Sequence, residues 1–346
     1  MTTEQKFIFP NQNIDEFESK NAFDKMDKTK SISKRIFNSF EIVAIPFLGC
    51  DYDMLYPKLA SIVPEEKIKF DNWNLDIAIA CEIVCAAICH QINWDFLRKA
   101  VYDATLNNKE WLKPTNLVKI STDFVDNMFV GYSKIERVRA NERALLLRKI
   151  GELAVTFNGF SNLFLDKLDN IFPASQIRAN LLSCSVFKDD PGEKKLQLLL
   201  QKLSNYDSLS ELNSLYMPAI DYHLIRSFLR RGLIVSKNKI AKDFITLSNV
   251  DRKENTVSAL REWCALLVCR ISSYTGLNVG IVNQIEWHIG RSVCIENVPD
   301  CYLENSDSEW LHPQFNKCPF YNTCFAVKYD GELLKIKEPR YTGTSY

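Results

Sequence analysis

The chain has 346 residues, 46% of them hydrophobic, enough for a full core and more than one compact unit usually holds, so two subdomains sharing a cleft are expected. Lysine plus arginine and aspartate plus glutamate balance at 43 each, which excludes whole-molecule steering toward nucleic acid and leaves only local surfaces for it. The first residues lack an apolar export segment, and the most apolar run, Ile77 to Ile92, carries Glu82 and is too short to span a bilayer. The eleven cysteines therefore point to a reducing cytoplasm, away from membranes, where thiols stay free for metals.

Residues 1–34 are polar and mixed in charge with no apolar period, and read as a flexible N-terminal arm. A helical subdomain is expected over 35–215. Its first strong helix covers about 75–91 and places Cys81, Cys85 and Cys89 on one face. Ligands in a straight row cannot converge on one ion, so these three belong to the core. The run His90-Gln91-Ile92-Asn93-Trp94-Asp95-Phe96 follows. It reads as a base-binding pocket built from rings and amide edges, or equally as a satisfied helix cap with Trp94 in the core.

Helices are expected over 116–130 and 133–157. The second carries Lys134, Arg137, Arg139, Arg143, Arg148 and Lys149, interleaved with Glu136, Glu142 and Glu152, and reads as a solvated, salt-bridged face. Further helices follow over about 163–170, 174–183 and 193–204.

A second helical subdomain is expected over 216–325. Pro218 stands where a helix can start, Asp221 falls in its first turn, and Gly232 stops it. A carboxylate in that place is favoured by the helix dipole and suits the support of a cationic transition state, although such an aspartate is most often a cap. Two apolar helices, about 257–274 and 277–293, carry Cys264 and Cys269 as core residues and deliver the chain to Cys294.

Cys294, Cys301, Cys318 and Cys324 are spaced C-x6-C-x16-C-x5-C. A [4Fe–4S] cluster needs four converging thiolates, which an irregular loop can supply. Structural zinc usually draws on two close pairs, so these gaps suit it poorly. Four unligated buried thiols are the remaining alternative. Residues 326–346 read as a short β-hairpin and tail, with Phe325 to Tyr329 and Glu332 to Ile336 as strands and Asp330-Gly331 as the turn. The fold class expected is all-α, two subdomains around a cleft, with a C-terminal cluster loop and that hairpin.

The run from Trp287 through Gly290-Arg291 to Cys294, then Cys301, Cys318-Pro319 and Cys324, resembles the iron–sulfur tail of helix-hairpin-helix DNA glycosylases of the endonuclease III type. The first and third gaps match, and the middle one is longer by an insertion, Tyr302 to Asn316. Ile220-Asp221-Tyr222-His223 with Arg226 is similar to that family's segment bearing the catalytic aspartate, which implies Asp221 in that role. The glycine-rich hairpin that grips DNA in that family has no counterpart here, since no glycine lies between Gly192 and Gly232. The middle of the chain resembles the queuosine-nucleotide N-glycosidases of queuosine salvage in four blocks taken in order. These are Ile92 to Phe96, Glu136 through Gly151 to Gly159, Gly192 through Lys194, Lys195 and Gln197, and Ile220-Asp221-Tyr222.

Both resemblances imply a DNA-glycosylase-like helical architecture and cleavage of a base–sugar bond. The leading expectation is an N-glycosidase acting on a modified or 7-deazapurine-like nucleoside or nucleotide, with Asp221 stabilising an oxocarbenium-like sugar and orienting water. Tyr222 and Trp94 are candidates to sandwich the base, His90 or His223 to protonate it, and Lys194 or Lys195 to hold a phosphate. The alternatives are a monofunctional DNA glycosylase of base excision repair, with DNA or RNA as partner, and a non-catalytic nucleic-acid-binding module.

Overall fold

The computed structural model describes residues 40–42, 51–214, 216–236, 254–303, 308–311, 314–328 and 331–336. The arm expected over 1–34 lies outside them. The longer helices are α1 (Tyr52–Ile62), α2 (Leu75–Ile88), α3 (Trp94–Asn107), α4 (Ala140–Thr156), α5 (Ala174–Leu182), α6 (Lys194–Leu203), α7 (Tyr222–Arg231), α8 (Glu254–Thr275) and α9 (Val279–His288). Strands β1 (Phe40–Ile42) and β2 (Ile234–Ser236) pair antiparallel, with Glu41 opposite Val235. Helix dominates, as the helices read along the chain led us to expect.

The first core is built around α2, which packs against α3, α4 and α6. Asn74 caps it by accepting from the Ile77 amide at 2.9 Å, and every residue from Ala78 to Ile88 is buried. A helix apolar all round has to be enclosed by others. Its one charged residue inside, Glu82, is fully partnered: Arg98 donates at 2.6 and 3.0 Å and the Tyr206 hydroxyl at 3.0 Å.

The far end of α2 is closed by cations. Its last carbonyls would be orphaned in the core. Lys195 Nζ donates to Ala87 O at 2.8 Å, Arg143 Nε to Ile88 O at 3.2 Å, and Arg143 Nη2 to His90 O. Arg143, read from its neighbours as part of a solvated face, is therefore fully buried.

The second core gathers α1, α7, α8 and α9. The segment at 52–63, read by its place in the chain with the first subdomain, packs into this second one, and β1 joins β2 on the same side. Pattern within a segment cannot reveal this, because the pairing is set by partners more than 170 residues away, such as the Arg231 to Tyr52 hydrogen bond, |i−j| 179. Three other expectations about helices shift. The helix over 116–130 is two short ones, Pro114–Leu117 and Thr122–Met128, broken where Ser121 caps the second. The helix from 133 begins at Ala140. Residues 163–170 form a turn held by Asp166, whose Oδ1 accepts from the amides of Leu168 and Asn170.

The hairpin near the C-terminus is not formed. Phe325–Lys328 is a helical turn and Gly331–Lys335 a 3₁₀ turn, with residues 329 and 330 outside the described set. The amides of Val327 and Lys328 bond to Cys324 O at 3.2 and 3.1 Å. This turn lets Ala326 and Leu334 pack with Cys324 and Cys301, a demand that outweighs the alternating pattern. Among the described residues no single helix is long and apolar enough to cross a membrane.

Candidate functional site

Helix α7 joins the two features that the sequence singled out. Asp221 is its N-cap, one residue earlier than the first-turn position expected. Oδ1 accepts from the His223 and Leu224 amides at 2.9 and 3.2 Å, and Oδ2 accepts from the Trp287 indole N–H at 2.9 Å. The residue is only 7% exposed. Of its roughly four acceptor directions, three are used. At the other end Gly232 takes φ +73°, and a Cβ there would stand 2.5 Å from Phe325 Cβ, so only glycine fits.

The opposite wall comes from α9, which runs on as a π-helical turn, Ile289–Val293, into Cys294. Gly290 is needed in that turn because a Cβ would sit 2.5 Å from His223 O. This close approach lets Trp287 reach Asp221.

Cys294, Cys301, Cys318 and Cys324 line one small hollow, together with Arg231, Ile289, Val293, Pro299 and Leu334. Burial, with repulsion from Cys294 and Cys324, pushes the Cys301 thiol up to about 12. Burial also raises Cys318 and Cys324. Four sulfurs sharing so apolar a hollow cannot all ionise unless cations lie among them. Among the described residues no three Cys, His, Asp or Glu side chains close round a single metal ion. The four thiols on this hollow are the residues here that could hold a cofactor.

Three arginines of α7 clamp the loop, of which only Arg226 entered the sequence reading, as part of the Asp221 motif. Arg226 Nε donates to Cys294 O at 2.9 Å and its Nη2 to Gly290 O. Arg230 donates to Ile295 O at 2.7 Å, to Glu296 O at 2.8 Å and to Ile336 O, and its Nη1 lies 3.8 Å from Cys294 Sγ. Arg231 pairs with Glu286 at 2.5 Å and stacks 3.6 Å over Phe320. The i, i+4 spacing of Arg226 and Arg230 was the available signal. An arginine pair on a helix reads as surface until the loop that buries it is known.

The other candidates divide. Tyr222 and His223 flank Asp221 half-buried, rings 4.3 Å apart, with His223 Nδ1 3.3 Å from Arg226 Nη2. Trp94 follows the Asn93 cap of α3, donates to Glu66 Oε1 at 2.6 Å and carries Arg98 and Lys202 over its ring at 5.4 and 5.5 Å. The capping alternative describes it best. Lys195 is buried at the end of α2, so its ammonium is occupied. Lys194 is half-buried at the start of α6.

His90 lies in the first core, 0% exposed, its Nε2 3.1 Å from Glu142 Oε1 but out of line for a full hydrogen bond. Burial pushes its imidazole from 6.5 down to about 3, so at neutral pH it holds no second proton to give. Unfolded, His90 takes a proton near its ordinary value. Across that window the unfolded state binds more protons, and stability falls as pH drops through it. His90→Gln is expected to flatten the fall of Tm between about pH 6.5 and 4, measured by thermal denaturation.

No known family model matches the chain, and no curated protein matches it.

Proposed function

We propose that this protein is an N-glycosidase that hydrolyses the base–sugar bond of a modified or 7-deazapurine-like nucleoside or nucleotide. The observation that carries the reading is the single helix α7, which bears a buried carboxylate at one end and, at the other, the arginines that clamp a loop of four cysteines round one hollow. Leaving of the base builds positive charge at C1′ and the ring oxygen. Asp221 faces that charge, and the remaining acceptor direction on its carboxylate orients the attacking water and takes its proton. His223, beside it, gives a proton to the departing base nitrogen. Cys294, Cys301, Cys318 and Cys324 would hold a [4Fe–4S] cluster, whose chemistry here is to cross-link the loop.

Protein purified without oxygen is expected to be brown and to contain about four irons per chain. Cys318→Ser is expected to lose most of that iron and lower Tm. Zinc with no iron after reconstitution would remove the cluster from the proposal. For the activity, a panel of nucleosides, nucleotides and base-modified duplexes is incubated with the protein and free base is measured.

A second reading is favoured by the three N–H donors on Asp221, which suit a carboxylate that only caps α7 and fixes Trp287. Under it, no member of the panel releases base.

A further inference from the structure

The seam between the two cores carries an arrangement that the proposed reaction does not use. Arg291, in the π-helical turn of the second core, stacks on Trp287 with its guanidinium 4.6 Å from the ring centroid. One edge of it is taken by Asp95 Oδ2 at 2.7 Å, from the first turn of α3 in the first core. The same indole donates to Asp221. Its neighbours are fixed: Ser292 Oγ donates to His288 O at 2.8 Å and accepts from Trp310 Nε1 at 2.9 Å.

We propose that Arg291 receives the phosphate of a nucleotide substrate, with Asp95 the resident anion that this phosphate displaces. The inference rests on the N-glycosidase reading and adds the phosphate to it. A guanidinium is planar and presents its N–H groups along an edge that a carboxylate or phosphate can meet with two oxygens, and here it sits over the Trp287 ring. The Asp95 side chain is 54% exposed and that of Arg291 23% exposed. An ion pair with one partner so open to water is worth ~1 kcal/mol or less, so a dianionic phosphate displaces it readily. Trp287 joins the two groups, since its ring carries Arg291 and its indole N–H donates to Asp221. Lys195, buried at the end of α2, leaves this role open.

The phosphate can come from a free nucleotide or from a strand of nucleic acid, and calorimetric titration of the iron-loaded full chain separates them. The ligands are 7-deazaguanosine monophosphate, 7-deazaguanosine, and a short single-stranded oligonucleotide containing the same base. The monophosphate is expected to bind about tenfold or more tightly than the nucleoside, the scale of one charge-assisted contact. Arg291→Gln is expected to remove that difference, Arg291→Lys to keep part of it, and Asp95→Asn to widen it severalfold. An advantage seen only with the oligonucleotide, and lost in Arg291→Gln, assigns the site to backbone phosphate. Equal binding of nucleotide and nucleoside by the unaltered protein, a preference that survives Arg291→Gln in a variant of unchanged Tm, Asp95→Asn weakening binding as Arg291→Gln does, or no binding of any ligand overturns the proposal. Base release is scored separately. Phosphate-dependent binding without turnover would sink the glycosidase reading and leave this site standing, whereas turnover insensitive to Arg291→Gln would do the reverse.

Discussion

Asp221→Asn is expected to lower base release by about 10²–10³-fold, the scale on which one preorganised electrostatic group acts on a charged transition state, while leaving the helical fold in place. Asparagine is as good an N-cap as aspartate, so the amides of His223 and Leu224 keep an acceptor. The amide NH₂ then faces the Trp287 indole N–H, donor against donor, where Asp221 Oδ2 now accepts at 2.9 Å. The cost is on the order of 1 kcal/mol, one lost hydrogen bond. The experiment therefore separates two demands that wild-type Asp221 meets together. A large fall in rate with a small fall in Tm means that its charge acts on substrate. Unchanged release of base from the same substrate means that the residue only holds α7 and Trp287. Trp287→Phe is the companion: it frees Oδ2, and a change in kcat with an altered pH profile, at unchanged iron content, marks Trp287 as a positioning residue.

Much of the scaffold was legible because local signals agreed with tertiary demand. The apolar run 77–88 could only be an enclosed helix, and Asn74 marked its start. Cys81 and Cys85 lie in the core as their spacing implied. The four C-terminal cysteines were legible as a set because their spacing is independent of how the intervening chain runs, and all four do line one hollow. What was not legible depended on partners distant in sequence. Arg143, Lys195, Arg226 and Arg230 look like surface cations, and each is buried on carbonyls that a different element leaves open. The turn at Phe325–Lys328 was hidden for the same reason: its alternating pattern fits a strand, but Ala326 and Leu334 are drawn to the cysteine end of α7. The contact of Trp287 with Asp221 needed Gly290 to lie against His223 O, a close approach that spacing alone does not report.

The largest effect on stability is expected at Arg143. Its guanidinium is fully buried and its hydrogen bonds run to backbone carbonyls: it donates to Ile88 O at 3.2 Å, Arg137 O at 2.9 Å, and the carbonyls of Val138 and His90. Burial lowers its pKa to about 10, still far above neutrality, so the charge is kept inside. Four backbone acceptors from two separated segments, the end of α2 and the residues leading into α4, thus share one planar donor. Arg143→Met keeps most of the volume and removes every donor. Each orphaned buried carbonyl costs about 1–3 kcal/mol unless water reaches it, so a loss of about 3 kcal/mol or more is expected in denaturant unfolding, a large part of what holds a domain of this kind together. Arg143→Lys recovers only a fraction, because an ammonium is a point donor and cannot span carbonyls that lie on two elements. A loss of less than about 0.5 kcal/mol for Arg143→Met, the range of an ordinary surface change, would mean that the two segments are held by their apolar packing alone. The cation at the end of α2 would then be a passenger in the core rather than its tie.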